Sequence, residues 1–291
     1  MALIKLQGNT KIQGKTIFET AQQAPAFAPI DISGLQLWLD AADTSTLYDA
    51  TVGGNLVTAN NSAVARWADK SGNNRHFTQS TANARPVLNT SNQNGKNVIY
   101  FDGVNDGING SVTGFKSLGA TTIFYVAKPV AAAAADTNSM FGWAWGNDTG
   151  SGAGAYRGLG LFGTTGLMSG EYIILINSNG VQRRLASSTY RRAANTAQII
   201  TTSFSNTGTK LYANSAEVAL NLTYGASTST TMNTSPSAIG YTSSDVIYLN
   251  SASWSPFGPQ NRVCEFLIYN SVLNAEQRTN VWNYLSAKWA I

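Results

Sequence analysis

The sequence predicts an all-β fold: a β-sandwich with an extended N-terminal β arm and a C-terminal helix. Three observations carry this. Short segments rich in β-branched and aromatic residues recur along most of the chain. Turns rich in Gly, Asn and Ser separate them, and only the C-terminal stretch has helical spacing.

The arm comes first. "LQGNTK" (Leu6–Lys11) is followed at once by "IQGKTI" (Ile12–Ile17), two units sharing apolar-Gln-Gly-x-Thr. Two copies are too few for a solenoid. Ile12, Thr16 and Phe18 fall on one face of an extended strand, and Leu6, Ile12 and Phe18 are the candidate assembly residues. Such an arm cannot bury its own face and needs a domain or a partner to hold it. "AQQAPAFAPIDIS" (Ala21–Ser33), with Pro25 and Pro29, reads as a semi-rigid linker. The organisation expected is an arm and linker over 1–31 and one domain over 32–291.

In that domain "LQLWLDA", "KNVIYFDG", "TTIFYVAK", "EYIILIN", "AQIITTSF" and "TKLYANS" read as strands in chain order. "PVAAAAADTNS" (Pro129–Ser139) is a loop of small residues. At the end, Asn274 can cap a helix with Gln277 at the capping-box position. Arg278, Trp282, Leu285 and Trp289 follow at spacings of four, three and four, so the two tryptophans are expected to anchor one helix face on the domain.

Composition narrows the function classes. Only 12% of the residues are charged, against roughly 25% in an ordinary globular domain, so Ser, Thr, Asn, Gln and Gly must build the surface. The single cysteine, Cys264 in "VCEFLIY", excludes a disulfide framework and is expected to be a buried thiol. A net charge of +4, with Arg183-Arg184 and Arg191-Arg192 lacking interleaved aromatics, points away from nucleic acid and towards solvated strand ends. "MALIKLQGNTK" has no signal-peptide core, and no stretch approaches the ~20 apolar residues of a membrane span, so no membrane insertion is expected.

The motifs that could carry chemistry are few. His76, the one histidine, cannot make a zinc site alone, and no serine-nucleophile motif partners it. Asp69, Ser71, Gly72 and Asn73 in "DKSGNN" have the residue types of a turn. In "FDGVNDG", Asp102 and Asp106 could offer calcium hard oxygen ligands, although turn chemistry explains the same residues and is favoured. No glutamate has a second carboxylate at the Glu-x-Asp-x-x-Glu spacing of a glycosidase strand, so no enzyme is expected. Candidate ligand-binding aromatics are Trp143 and Trp145, alternating in "MFGWAWGND", and Trp254 and Phe257 in the Pro-rich loop "SWSPFGPQN". Trp254 is the better candidate because loops carry function, whereas alternating strand aromatics usually pack in the core.

In order, "GLQLWLDAAD", "VARWADKSGNNRHFTQ", "ARPVL", "VIYFDGVNDGI", "TKLYANSAEVA", "SAIGYTSS", "CEFLIYNSVLNAEQR" and "YLSAKW" resemble the laminin-G-like branch of the concanavalin A-like jelly rolls. The resemblance runs from about Ser33 to the end, with the region around Arg183 unmatched. It implies a two-sheet antiparallel jelly-roll sandwich, allows calcium at a sheet edge, and fits bacteriophage capsid decoration and tail-fibre proteins. The expectation is a non-enzymatic virion-surface structural protein attached through its arm, with other virion proteins and copies of itself as partners. The alternative is a carbohydrate-binding lectin or adhesin module that recognises host-surface glycans.

Overall fold

The computed structural model describes residues 27–111, 120–130, 143–145, 157–161, 171–178, 181–191, 193–205, 208–224, 246–250 and 260–291. The strands run β1 (Leu35–Asp40), β2 (Leu47–Tyr48), β3 (Arg66–Trp67), β4 (Phe77–Thr78), β5 (Val87–Gln93) and β6 (Lys96–Phe101). Next come β7 (Ile108–Ser111), β8 (Ala120–Pro129), β9 (Trp143–Trp145), β10 (Arg157–Leu161), β11 (Glu171–Ser178) and β12 (Val181–Arg191). The last are β13 (Gln198–Ser205), β14 (Gly208–Ala213), β15 (Ala216–Val218), β16 (Asn221–Tyr224), β17 (Val246–Leu249) and β18 (Asn261–Tyr269), followed by helix α1 (Ala275–Trp289). All six segments expected as strands are strands.

They form two antiparallel sheets. One has the order β15-β14-β13-β8-β18-β6-β5, with β1 also on β18; the other runs β16-β12-β11-β10-β9-β17-β7-β4-β3-β2. Alternation along each strand sends one set of side chains between the sheets. Leu37 and Leu39 of β1, Ile123 and Tyr125 of β8, and Phe266 and Ile268 of β18 meet Trp67, Phe77, Ile108, Ile247 and Leu249 of the second sheet there. The opposite set of the first sheet, including Trp38, Phe124, Val126, Ile199 and Leu267, is covered by Val281, Leu285 and Trp289 of α1. The molecule is therefore sheet on sheet, with a helix on the outer face.

The helix begins as its sequence predicts. Asn274 Oδ1 accepts the Gln277 N–H at 2.9 Å, and Gln277 Oε1 accepts the Asn274 N–H at 3.0 Å. The Thr122 hydroxyl of β8 donates to the Ser271 carbonyl and accepts the Leu273 N–H, fixing the approach to the helix. The expected face holds at Leu285 and Trp289 but is displaced by one residue at Trp282. Trp289 is fully buried, but Val281 occupies the core while Trp282 is only half-buried. Two further expectations need correction. From Phe27 onward the linker segment is docked: Phe27 packs edge-on against Tyr284, and Tyr269 donates its hydroxyl to the Pro29 carbonyl at 2.9 Å. Arg183-Arg184 lie inside β12, not at a strand end. Leu6, Ile12 and Phe18 lie outside the described residues.

The loop "DKSGNN" is a turn, and it also protects an edge. β1 pairs only with β18, which leaves its other edge open. Asp69 covers it: Oδ1 accepts the N–H groups of Trp38 at 2.9 Å and Ser71 at 2.8 Å, while Oδ2 accepts the Arg75 N–H at 3.1 Å. The Lys70 N–H then donates to the Trp38 carbonyl, and Ser71, Asn73 and Arg75 donate to the Gln36 carbonyl. Gly72 takes φ +87°, where a Cβ would be strained. His76 belongs to this turn, its Nδ1 accepting the Asp69 N–H at 3.1 Å. Because hydrogen bonds to charged groups are worth about 1.5–3 kcal/mol each, Asp69→Ala is expected to destabilise the fold by about 3 kcal/mol, read as a lower urea midpoint. An unchanged midpoint would show that the edge holds without the turn.

Candidate functional site

Among the described residues the densest cluster of charges lies beneath α1 and begins with a β-bulge. Val263 pairs with Ala127 but Glu265 pairs with Val126, so one extra residue of β18 is accommodated at Cys264. The bulge turns Cys264 and Glu265 in succession toward the helix, and Phe266 returns to the inter-sheet core. Cys264 is a free, buried thiol, pushed well above the usual range by burial.

Glu265 is fully buried and saturated with donors. Trp38 Nε1–H reaches Oε1 and Trp289 Nε1–H reaches Oε2, each at 2.7 Å, and the Tyr284 hydroxyl donates to Oε1 at 3.2 Å. Lys288 Nζ lies 2.8 Å from Glu265 Oε2 and 2.7 Å from Asp40 Oδ1. Asp40, opposite Glu265 in the β1–β18 ladder, also receives Lys70 at 2.9 Å, and Lys70 reaches Asp43 at 2.8 Å. Two lysines thus bridge three carboxylates. Burial, then the Asp40 charge, raises the Glu265 pKa above the ordinary carboxylate value. Burial would lower the Lys70 pKa, but the charges and hydrogen bonds of Asp40 and Asp43 prevail and raise it. Burial and the two neighbouring carboxylates raise the Tyr284 hydroxyl pKa. Chemically this is a clamp: every Glu265 oxygen is engaged and none of its surface is open to a substrate.

The two Trp residues at the outer ends of this cluster, Trp38 and Trp289, were not among the expected ligand-binding aromatics, nor were Asp40, Glu265 and Lys288 among the expected site residues. A signal did exist: single acids inside the apolar runs "LQLWLDA" and "VCEFLIY", and a lysine between buried positions of "YLSAKW". An acid in a strand that otherwise reads as core needs a partner.

A cleft of about 220 Å³ lies between α1 and the first sheet. Phe124, Tyr212, Trp282, Thr201, Ser215 and Thr279 line it, and Arg278 is the only charged residue in its lining among the described residues. The Arg278 guanidinium carbon lies 4.7 Å from the Tyr212 ring centroid, and the group donates to the Leu273 carbonyl. It makes no ion pair among the described residues. The expected anchor Trp282 therefore borders an opening.

The other expected site residues are dispersed. Asp102 Oδ1 accepts the N–H groups of Val104 at 2.8 Å and Asn105 at 3.3 Å, and Asp106 Oδ2 accepts the Asp102 N–H at 2.9 Å. The pair thus closes its own turn, and among the described residues no group of three or more His, Cys, Asp or Glu is placed to hold a metal ion. Burial pushes the Asp106 pKa up to about 6. Trp143 and Trp145 stand opposite Leu249 and Ile247 in the β9–β17 ladder, so these positions share a sheet face with two buried core residues. Trp254 and Phe257 lie outside the described residues.

Two packed antiparallel sheets with a helix on the outer face define a β-sandwich of the jelly-roll class. No protein-family model matches the chain, and no curated protein sequence matches it. Solved structures do. The binding domain of Paraclostridial Mosquitocidal Protein 1 matches over 88% of this chain and 53% of its own, at 14% identity and a TM-score of 0.54. The receptor-binding domain of botulinum neurotoxin C/D mosaic serotype matches over 86% and 51%, at 13% identity and 0.51. The botulinum neurotoxin serotype D binding domain matches over 86% and 52%, at 12% identity and 0.52. The chain spans about half the length of these structures, and the likeness is one of fold.

Breaking one partner of a buried ion pair costs about 3–5 kcal/mol, so Lys288→Met is expected to lose about that much in urea unfolding. The double variant Glu265→Gln/Lys288→Met is expected to lose less than the sum of the singles, and strict additivity would disprove the coupling. For Asp106, the folded pKa of about 6 exceeds the ordinary value of 3.8, so its contribution to stability is full below that ordinary value and is lost as pH rises through about 6. Asp106→Asn keeps an acceptor for the Asp102 N–H. It should melt higher than the natural protein at neutral pH and alongside it near roughly pH 4; a gain that does not depend on pH would refute the burial account.

Proposed function

We propose that the chain is a non-enzymatic recognition module, a laminin-G-like sandwich that binds carbohydrate on a cell surface. The observation that carries this reading is the cleft beside α1, whose lining combines the aromatics Tyr212 and Trp282, the hydroxyl residues Ser215 and Thr279 and Arg278 over the buried Phe124 and Thr201. Pyranose rings present an apolar face and a rim of hydroxyls, and such a lining matches both. The fold likeness supports recognition too, since the matching structures are a toxin's binding domain and neurotoxin receptor-binding domains. The absence of an enzyme role is supported by the engagement of the Asp40–Glu265 pair within its clamp.

A second reading is favoured by composition. A surface with so few charges suits a bacteriophage virion protein, in which the same sandwich would be displayed outward and residues 1–31 would attach it to other virion proteins or to copies of itself. The two readings meet in a fibre whose outer domain recognises a host glycan.

The deciding experiment is a broad glycan array probed with the full chain. A saturable signal on a defined subset of glycans is expected. Silence across the array, with the protein shown to be folded by circular dichroism, would sink the carbohydrate reading and leave the structural one.

A further inference from the structure

We infer that the cleft between α1 and the first sheet is a binding site for a single acidic sugar residue, with Arg278 as its carboxylate anchor. The inference rests on the carbohydrate reading above and adds the position of the site and the class of its ligand. The cavity holds about 220 Å³, below the roughly 300–1,000 Å³ of sites for drug-sized ligands, so it suits one ring and not an oligosaccharide.

Charge selects among sugars. Among the described residues, Lys70 and Lys288 are neutralised inside the clamp, and Lys210 pairs with Glu217 at 3.0 Å. Arg278 has no such counter-ion there. One guanidinium nitrogen, Nη1, is held by the Leu273 carbonyl, and the Tyr212 ring stacks against the group and sets its orientation. A guanidinium has five N–H donors in a planar fork, so donors remain for a carboxylate. Among the described residues no acidic side chain lines the cleft to repel one. The exposed Ser215 from the sheet side, and the half-buried Trp282 ring from the helix, supply the neutral contacts a pyranose needs.

The site is also held ready. The helix that carries Arg278 and Trp282 is fixed at one end by Asn274 and Thr122 and at the other by Lys288 and Trp289. A preorganised arginine loses little freedom when the ligand arrives.

The test is calorimetry and tryptophan fluorescence on the full chain, with D-glucuronate as probe and D-glucose and benzoate as controls. Saturable glucuronate binding is expected, with glucose weaker by about ten-fold or more, because the charged contact is missing. Arg278→Gln should weaken glucuronate by about ten-fold or more. Thr279→Phe, at an exposed helix position, should block the cleft while leaving the melting curve in place. Benzoate binding as tightly as glucuronate would overturn the sugar assignment. Glucuronate binding that survives both variants would move the site elsewhere. No glucuronate binding beside a positive glycan array would defeat this inference and spare the carbohydrate reading, whereas failure of both would defeat both.

Discussion

Everything on the outer face of the first sheet depends on one buried carboxylate. Glu265 sits where bulk water does not reach, and an ion there is tolerable only if donors replace its hydration shell. Two indole N–H groups, a tyrosine hydroxyl and a lysine do so, and they come from β1 and from α1. The same bonds that satisfy the charge therefore fix the last helix to the first strand. An apolar residue at this position would pack as well but would not specify the register of α1. Two indoles and an ammonium converge on the carboxylate in one arrangement of the helix, and a slide by a turn would strand them all.

The bulge at Cys264 is what makes this arrangement possible. Strict alternation onward from Val263, which faces the inter-sheet core, would turn Glu265 between the two sheets and send Phe266 and Ile268 to the helix side. The extra residue keeps the acid on the helix side. Polar side chains do related work elsewhere in this charge-poor chain. Asn61, Asn74, Asn94, Asn195, Asn214 and Asn250 all take positive φ, in turns where glycine would otherwise serve. Gln93 and Asn94, at the β5–β6 turn, donate to the carbonyls of Trp289 and Lys288 and so cap the end of α1. Amides here replace the ion pairs that cover the surfaces of most proteins.

Legibility in the sequence divides along the same line. Local patterns were readable: strands such as "TTIFYVAK", the Asn274–Gln277 box and the Asp69 turn each depend on residues within a few positions of one another. Non-local arrangements were not. The meeting of Asp40, Glu265 and Lys288 joins residues more than two hundred positions apart, and the bulge that orients Glu265 leaves no mark beyond a broken alternation. The helix shows the boundary well. Spacings of four, three and four correctly found its inner face, but Trp282 and Val281 are adjacent in sequence, and only the shape of the sheet beneath decides which is buried. In the candidate site, Trp282 was visible as an aromatic, while Tyr212 and Arg278 became neighbours only through folding.

The clamp and the cleft are two ends of one device. Lys288 and Trp289 hold the last turn of α1 against β18 and β1, and the Thr122–Leu273 contact holds the residue just before its N-cap against β8. Between them the helix cannot tilt without breaking charged bonds, so the gap beside Arg278 and Trp282 has a set width. The core beneath is apolar, and apolar packing alone tolerates small slides. A chain that merely needed to cover the sheet could have used leucines throughout. Placing its few buried charges at the end of the helix that leads to an open cleft makes geometric sense if the cleft must keep its shape, which is what recognition of a small, rigid ligand demands.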